Sequence, residues 1–376
     1  MGIPAHLHLH QFRNYAELDI NFSPGINLIF GANGQGKSNI LEAVCYLGLL
    51  RSFRTHRIAC LRRWEQDSFF ISGSFAPLGD DLPFRLSVEY GDRRILRLNE
   101  RPVARASEFI NRFLCVPFVP EDLELVKGSA GGRRRFMDIV MSQLDPAYLA
   151  ELHGYQTALR ERNVLLREPT RYPATALIAY DRILARYGAA ILLKREQFVR
   201  AFNHCLREVS QRLHCGGVFS VRHTWGIPVL RTGAEEDAGD MEKLTTRLFE
   251  LLQRGVEQDQ REGNTRQGPH RADLLIFLDD RSLSLYGSEG ERRLGSLAMR
   301  LGSMHVLRHS GQGEERGVTL LVDDVVGELD PYRNEAFMET ISGADQIMIT
   351  STDPPAKIKR QAQRIFSVDN GKVTAL

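Results

Sequence analysis

The sequence predicts an α/β core split by a long, mostly helical insertion. Three observations predict it. A short apolar run, Ile26 to Phe30, leads into a glycine-rich loop and then into residues at helical spacing (Ile40, Leu41, Val44, Leu47). From roughly residue 132 to 255, helical stripes replace strand signals. Short apolar runs then return at Leu274–Leu278, Val318–Val322 and Ile347–Ile349, as strands with helices between them.

Taken in order, the first hundred or so residues are strand-rich. His6-Leu7-His8-Leu9-His10 alternates, as do Leu18 to Phe22 and, more loosely, Phe69 to Phe75. Ile26 to Phe30 is mostly apolar, as expected of a strand buried on both faces. The helix after the glycine-rich loop is expected to be amphipathic. In the middle, Phe136, Ile139, Val140 and Leu144 make one helical stripe, and Pro146–Arg167 and Tyr180–Cys205 make longer ones. Pro169 and Pro173 mark the break between them. Val218 to Val221 is a short strand-like interruption. The expected division is residues 1–112 and 311–376 in the core lobe and 113–310 in the helical lobe.

Composition bounds the function. The chain has 376 residues, 43% hydrophobic and 26% charged, with a net charge of +2. A bulk electrostatic grip on nucleic acid is not expected at that charge, so any such contact must use local basic patches. Five scattered cysteines without a CxxC pair fit a reducing compartment. No apolar run reaches bilayer length and the N-terminus lacks the pattern of a secretory signal. A cytoplasmic protein with no membrane partner is the expectation.

Gly31-Ala32-Asn33-Gly34-Gln35-Gly36-Lys37-Ser38 fits the phosphate-binding pattern G-x-x-x-x-G-K-[ST]. Glycines let backbone N–H groups turn inward around phosphate oxygens, and a helix starting near Lys37 adds its positive N-terminal dipole. Lys37 is expected to reach the β- and γ-phosphates, and the Ser38 hydroxyl to ligate Mg²⁺. A nucleotidase of this kind needs a carboxylate at the end of a neighbouring strand. Val318 to Val322 is such a strand, followed by Asp323 for Mg²⁺ and Asp324 at the position that polarises the attacking water. Lys37 and Asp324 are therefore the candidate catalytic residues. The Asn-Lys-x-Asp guanine signal is missing, so ATP with Mg²⁺ is the expected cofactor pair.

Three further segments carry a resemblance. Phe12-Arg13-Asn14-Tyr15 precedes the loop and Arg51-Ser52-Phe53-Arg54 follows its helix. Phe118-Val119-Pro120-Glu121-Asp122-Leu123 runs into Val126-Lys127-Gly128-Ser129 and Arg133-Arg134-Arg135-Phe136-Met137-Asp138. Gly268-Pro269-His270-Arg271-Ala272-Asp273-Leu274 precedes Ser288-Glu289-Gly290-Glu291-Arg292-Arg293, with Asp323 to Asp330 downstream. In this order, and over almost the whole chain, the set closely resembles the bacterial RecF family of DNA repair proteins. The match is weakest between about residues 169 and 256.

The resemblance implies an ABC-type P-loop ATPase head, related to SMC heads and built on a mixed sheet with helices. It implies two heads sandwiching two ATP molecules, so the partner of one chain is a second copy. It also implies binding to junctions of single-stranded and duplex DNA, loading of RecA with RecO and RecR, and slow hydrolysis that resets the clamp. Ser288 and Gly290 would contact the γ-phosphate held by the partner, and Glu328-Leu329-Asp330 would cross the dimer interface. Thr352 would occupy the switch position that many ABC ATPases fill with His. The family usually has Ser-Gln-Gly-Gln-Gln where this chain has Ser288-Glu289-Gly290-Glu291-Arg292, which adds two carboxylates near a partner's γ-phosphate. Gly327 stands where the family commonly has Ser.

Other features carry readings of their own. Arg51, Arg54, Arg57, Arg62 and Arg63 form one candidate DNA-facing patch and Arg133-Arg134-Arg135 another. Arg54 could also reach the nucleotide. His6, His8 and His10 share one strand face, read as a partly exposed edge strand rather than a metal site. His204-Cys205 and His214-Cys215 lack zinc-ligand spacing. His270 and Arg271 follow a turn and could support the site from behind. Two other functions compete: the ATPase subunit of a membrane transporter, which shares the head, and a scaffold that binds ATP but barely hydrolyses it. A DNA-stimulated ATPase would separate the first from the favoured reading.

Overall fold

The computed structural model describes residues 1–79, 81–227, 240–310, 316–324 and 331–376. Two compact units pack separately. Unit 1 holds residues 1–124, 205–218 and 293–376; unit 2 holds 125–204 and 219–292.

Unit 1 contains two six-stranded sheets. In the first, β3 (Gly25–Phe30), β13 (Gln346–Ser351), β12 (Val318–Asp323) and β8 (Leu114–Phe118) run parallel in that spatial order. β14 (Arg364–Asp369) joins β3 on its other side, and β15 (Lys372–Ala375) closes that edge antiparallel. Leu28, Ile29, Leu320, Leu321 and Ile349 are fully buried, as strands covered on both faces require. β8 lies within the range 113–310 expected for the helical lobe, yet it pairs with β12 in this core sheet.

The second sheet is antiparallel, in the order β2-β1-β4-β5-β6-β7. Here β1 is Gly2–Phe12, β2 Tyr15–Asn21, β4 Phe69–Pro77, β5 Phe84–Tyr90, β6 Arg94–Leu98 and β7 Arg101–Pro102. The alternation in β1 does put Leu7 and Leu9 inside and the three histidines on the opposite face. The edge-strand reading of β1 is wrong: it is bonded to β2 on one side and β4 on the other, and β2 is the edge.

The helix Lys37–Leu49 lies against strands of both sheets. It is not amphipathic as expected, because every residue from Ile40 to Leu49 is buried. A helix sandwiched between two sheets has no face left for water.

Unit 2 is mostly helical. Its principal helices include Ala130–Leu144, Pro146–Arg167 and Met241–Arg254. Tyr180–Cys205, the second long stripe, lies inside a longer helix, Ala174–Arg212. A three-stranded antiparallel sheet, β11-β10-β9, accompanies them, with β9 at Phe219–Thr224, β10 at Asp273–Leu278 and β11 at Arg281–Ser282. Leu274–Leu278 therefore belongs to this small sheet and not to the parallel one. Arg162 is fully buried, where it donates to Asp181 and to Asp259, the latter at 2.7 Å. Two carboxylates around one guanidinium keep that charge compensated without water.

Candidate nucleotide site and signature segment

The glycine-rich loop follows β3 and opens directly into the helix Lys37–Leu49. Its shape needs glycine at specific places. Gly36 has φ 112°, and a Cβ there would lie 2.4 Å from Asn14 Nδ2 and 2.9 Å from Tyr15 Oη. Gly31 has φ 155°, and a Cβ would press on the Val368 carbonyl at 2.2 Å.

The hairpin turn between β1 and β2 supports this loop. Asn14 Nδ2 donates to the Gln35 carbonyl at 3.1 Å, and the Tyr15 hydroxyl to the Gly36 carbonyl at 3.1 Å. Arg13 grips the buried Glu42 with two hydrogen bonds, at 2.7 and 2.6 Å. Ser52 donates to the same carboxylate. Arg54 Nη1 donates to Asn39 Oδ1 at 2.8 Å, and Asn39 Nδ2 to Asn14 Oδ1 at 2.7 Å. The Phe12–Tyr15 and Arg51–Arg54 segments thus form one bracket around the loop and its helix. The sequence showed them as motifs without a mechanism.

Asp323 ends β12 beside the loop. Ser38 Oγ donates to Asp323 Oδ1 at 2.7 Å, and Thr350 Oγ1 donates to the same oxygen at 2.6 Å. A hydroxyl and a carboxylate oxygen, side by side at a helix N-terminus, are the hard oxygen donors that Mg²⁺ selects, so these residues fit that ion. Lys37 Nζ donates to the Gly31 and Ala32 carbonyls at 2.7 and 2.8 Å. Burial lowers the Lys37 pKa from its ordinary value, and the nearby Asp324 and Asp323 partly oppose that. Asp324 has φ 54°, a left-handed conformation that Asp tolerates. Its N–H donates to Thr350 Oγ1 at 3.1 Å, which holds the turn. A cavity of about 160 Å³ is lined by Asn33, Gly34, Gly36, Lys37, Ser38 and Asn39, together with Arg54, Asp323, Asp324 and Thr350. Asn39 and Thr350 were not singled out from the sequence, because nothing in their spacing marks them. Thr352 is exposed just beyond β13.

The signature segment lies in unit 2, where the helix Glu289–Arg308 begins. Ser288 caps it. Glu291 Oε2 accepts from the Ser288 N–H at 2.6 Å, and Ser288 Oγ accepts from the Glu291 N–H at 3.3 Å. This reciprocal pair is a capping box. Glu291 also accepts from Arg281, and Glu289 from Lys127, each at 2.5 Å. The Ser288 backbone N–H is the first cause that lowers the Glu291 pKa. The two extra carboxylates therefore have cations of their own, Arg281 and Lys127. Gly327 and Glu328-Leu329-Asp330 lie outside the described residues.

The other segments find partners within unit 2. Arg133 makes two hydrogen bonds to Asp273, both 2.8 Å, and a third to the Gly128 carbonyl. Arg134 donates to the Ala272 carbonyl at 2.6 Å. Arg133 and Arg134 are thus committed inside the fold, which corrects their reading as DNA-facing side chains. Asp138, in the same segment, accepts from Arg195 at 2.8 Å. Arg195 also donates to the Pro269 carbonyl at 2.9 Å. His270 Nε2 meets the Thr265 carbonyl at 2.9 Å and must carry the proton, so Nδ1 accepts from Tyr155 Oη at 2.7 Å. Burial is the main reason its pKa falls to about 4.

Comparisons with known proteins bear on what this geometry is for. The family model described as an AAA domain matches residues 6–71, which include the phosphate loop. A relative from Oceanobacillus iheyensis, named DNA replication and repair protein RecF, is 33% identical over 379 residues, covering 98% of each chain. One of the same name from Bacillus cereus is 32% identical, covering 92% of this chain and 91% of its own. The chain belongs to the RecF family. A solved RecF structure described with ATP, as a recombination mediator protein in the RecFOR pathway, matches with a TM-score of 0.87 at 26% identity, covering 99% of this chain and 97% of that one. An SMC head bound to a winged-helix domain of ScpA matches at a TM-score of 0.54 and 18% identity, a likeness of fold alone. The RecF fold is thus that of an ABC- and SMC-type ATPase head, as the motif order implies. Among the described residues, no helix is long and apolar enough to cross a membrane.

Proposed function

We propose that this chain is an ATP-operated DNA clamp of recombinational repair. The observation that carries this is the Ser38–Asp323 contact of 2.7 Å beside Lys37, in a chain of the RecF family. Unit 1 supplies the ATP-binding surface, with Gly31 to Ser38 around the phosphates. Bound ATP–Mg²⁺ contributes a transferable phosphoryl group and a compact cluster of charge. Lys37, which donates to two loop carbonyls, would hold phosphate oxygens in their place. Ser38 and Asp323 would hold the ion, and Asp324 would orient the attacking water and take its proton. Arg54, on the cavity wall, adds a second cation.

Ser288 and Gly290 complete the site of a second copy, so that ATP drives homodimerisation. Hydrolysis is slow and reopens the dimer. The closed dimer holds junctions of single-stranded and duplex DNA and cooperates with RecO- and RecR-like proteins in RecA loading. Arg57 and Arg63, the latter next in sequence to the highly exposed Trp64, are the proposed DNA contacts of unit 1.

Light scattering with and without ATP–Mg²⁺ tests this reading. Monomer should become dimer, and Lys37→Ala should remove the change. A wild-type protein that binds ATP yet stays monomeric at high concentration would exclude the sandwich.

A further inference from the structure

The outer face of the β1–β2 hairpin holds a cluster that the ATP site does not use. The register sets His8 opposite Asp19 and His10 opposite Glu17. Residues directly opposite on one face of an antiparallel pair stand about 5 Å apart, so these side chains converge. His6 Nε2 lies 3.0 Å from Asp19 Oδ1, and His8 Nδ1 lies 3.1 Å from the same oxygen. Ligand atoms of His8, Glu17 and Asp19 all come within 4.8 Å of one another. Among the described residues, this is the one place where three such atoms meet.

The arrangement is held from behind. Leu7, Leu9, Leu18 and Ile20 on the opposite face are buried, so a one-residue slip of β2 would expose Leu18 and Ile20. The Phe70 ring stands 5.9 Å from the His8 ring and limits its movement. Two carboxylates this close repel unless a cation lies between them. Glu17 has no hydrogen bond or ion pair among the described residues that would relieve it.

We propose that His8, Glu17 and Asp19, with His6 as fourth ligand, bind a zinc-class divalent cation that clips the edge strand β2 to β1. Imidazole nitrogens mixed with carboxylate oxygens select zinc over Mg²⁺ or Ca²⁺, which prefer oxygen alone. Tetrahedral ligands about 2.05 Å from an ion stand roughly 3.3 Å from each other, close to the 3.0 and 3.1 Å at which the His6 and His8 nitrogens already stand from Asp19 Oδ1. The site is separate from Ser38 and Asp323, and its occupancy does not depend on nucleotide.

The test is zinc titration of the full chain after chelator treatment, without nucleotide, read by competition with a chromophoric chelator. One Zn²⁺ per chain should bind and raise the thermal midpoint. Replacing a partner that only orients a ligand commonly weakens metal binding 10- to 100-fold, so His8→Ala or Asp19→Asn should cost at least about tenfold. Asp323→Asn should bind zinc as wild type does, and ATP binding by the His8 and Asp19 variants should be unchanged. Should His8→Ala fold poorly, His6→Ala and Asp19→Asn carry the test. Cobalt in place of zinc should give visible bands without thiolate charge transfer. No saturable zinc uptake, uptake undiminished by both His8→Ala and Asp19→Asn, or a thiolate signature would overturn the proposal.

Discussion

Glu291 accepts a hydrogen bond from the Ser288 backbone N–H at 2.6 Å, while Ser288 Oγ accepts one from the Glu291 N–H at 3.3 Å. Ser288, expected to face a partner's γ-phosphate, is thus also the N-cap of its own helix. Its carboxylate neighbours are balanced by Arg281 and Lys127. Removing those cations should leave two carboxylates facing the partner's phosphate. Arg281→Ala with Lys127→Ala should weaken ATP-dependent dimerisation about two- to fivefold per lost pair, the range of partly exposed ion pairs. Glu289→Gln with Glu291→Gln should restore it. Scattering across a protein dilution series reads both, and equal dimerisation by wild type and the double alanine variant would reject the charge balance.

The loop glycines should differ in their tolerance. At Gly36 an added Cβ meets Asn14 and Tyr15 below 3.0 Å, whereas at Gly34 nothing lies within 4 Å, although φ is 78°. Gly34→Ala should cost only the left-handed strain, roughly 1–2 kcal/mol. Gly36→Ala should displace the bracket as well and reduce ATP affinity far more. Equilibrium binding of a fluorescent ATP analogue would compare them; equal losses would count against the bracket.

Salt dependence separates the arginine groups. If Arg57 and Arg63 touch DNA phosphates, Arg57→Ala and Arg63→Ala should each lower the slope of log K against log salt by about one. Arg133→Ala should leave that slope alone. It should instead destabilise unit 2 by about 3–5 kcal/mol, because it strands the largely buried Asp273. Anisotropy titrations at several salt concentrations, with urea unfolding beside them, measure both effects.

Acid should loosen unit 2 through His270. Its folded pKa is about 4, below the ordinary value near 6.5, so the unfolded chain binds the extra proton first. Stability from this group is full above about pH 6.5 and is lost as pH falls toward about 4. The loss at pH 5 should reach up to about 2 kcal/mol. His223, whose pKa burial lowers to about 3, adds in the same direction. His270→Gln should flatten the pH dependence of the urea midpoint between pH 6.5 and 4; an unchanged slope would contradict the assignment.

Residue order alone pointed to a candidate nucleotide site and to the family. Gly31–Ser38 must follow a strand and open a helix because only that turn aims backbone N–H groups at phosphate, and Asp323 had to end a buried strand to reach it. The order of the remaining motifs pointed to RecF, and relatives at 33% identity over 98% of the chain agree. What those motifs do is a matter of tertiary contacts. Asn14 and Tyr15 hold the loop, Arg133 holds Asp273, and Glu291 caps Ser288. Strand pairing likewise put β1 inside its sheet, and packing against both sheets buried the Lys37–Leu49 helix from Ile40 onward. Periodicity along a chain reports which face of an element is apolar. Strand neighbours and side-chain partners are set by residues up to hundreds of positions away, as with Ser38 and Asp323, and no local pattern encodes them.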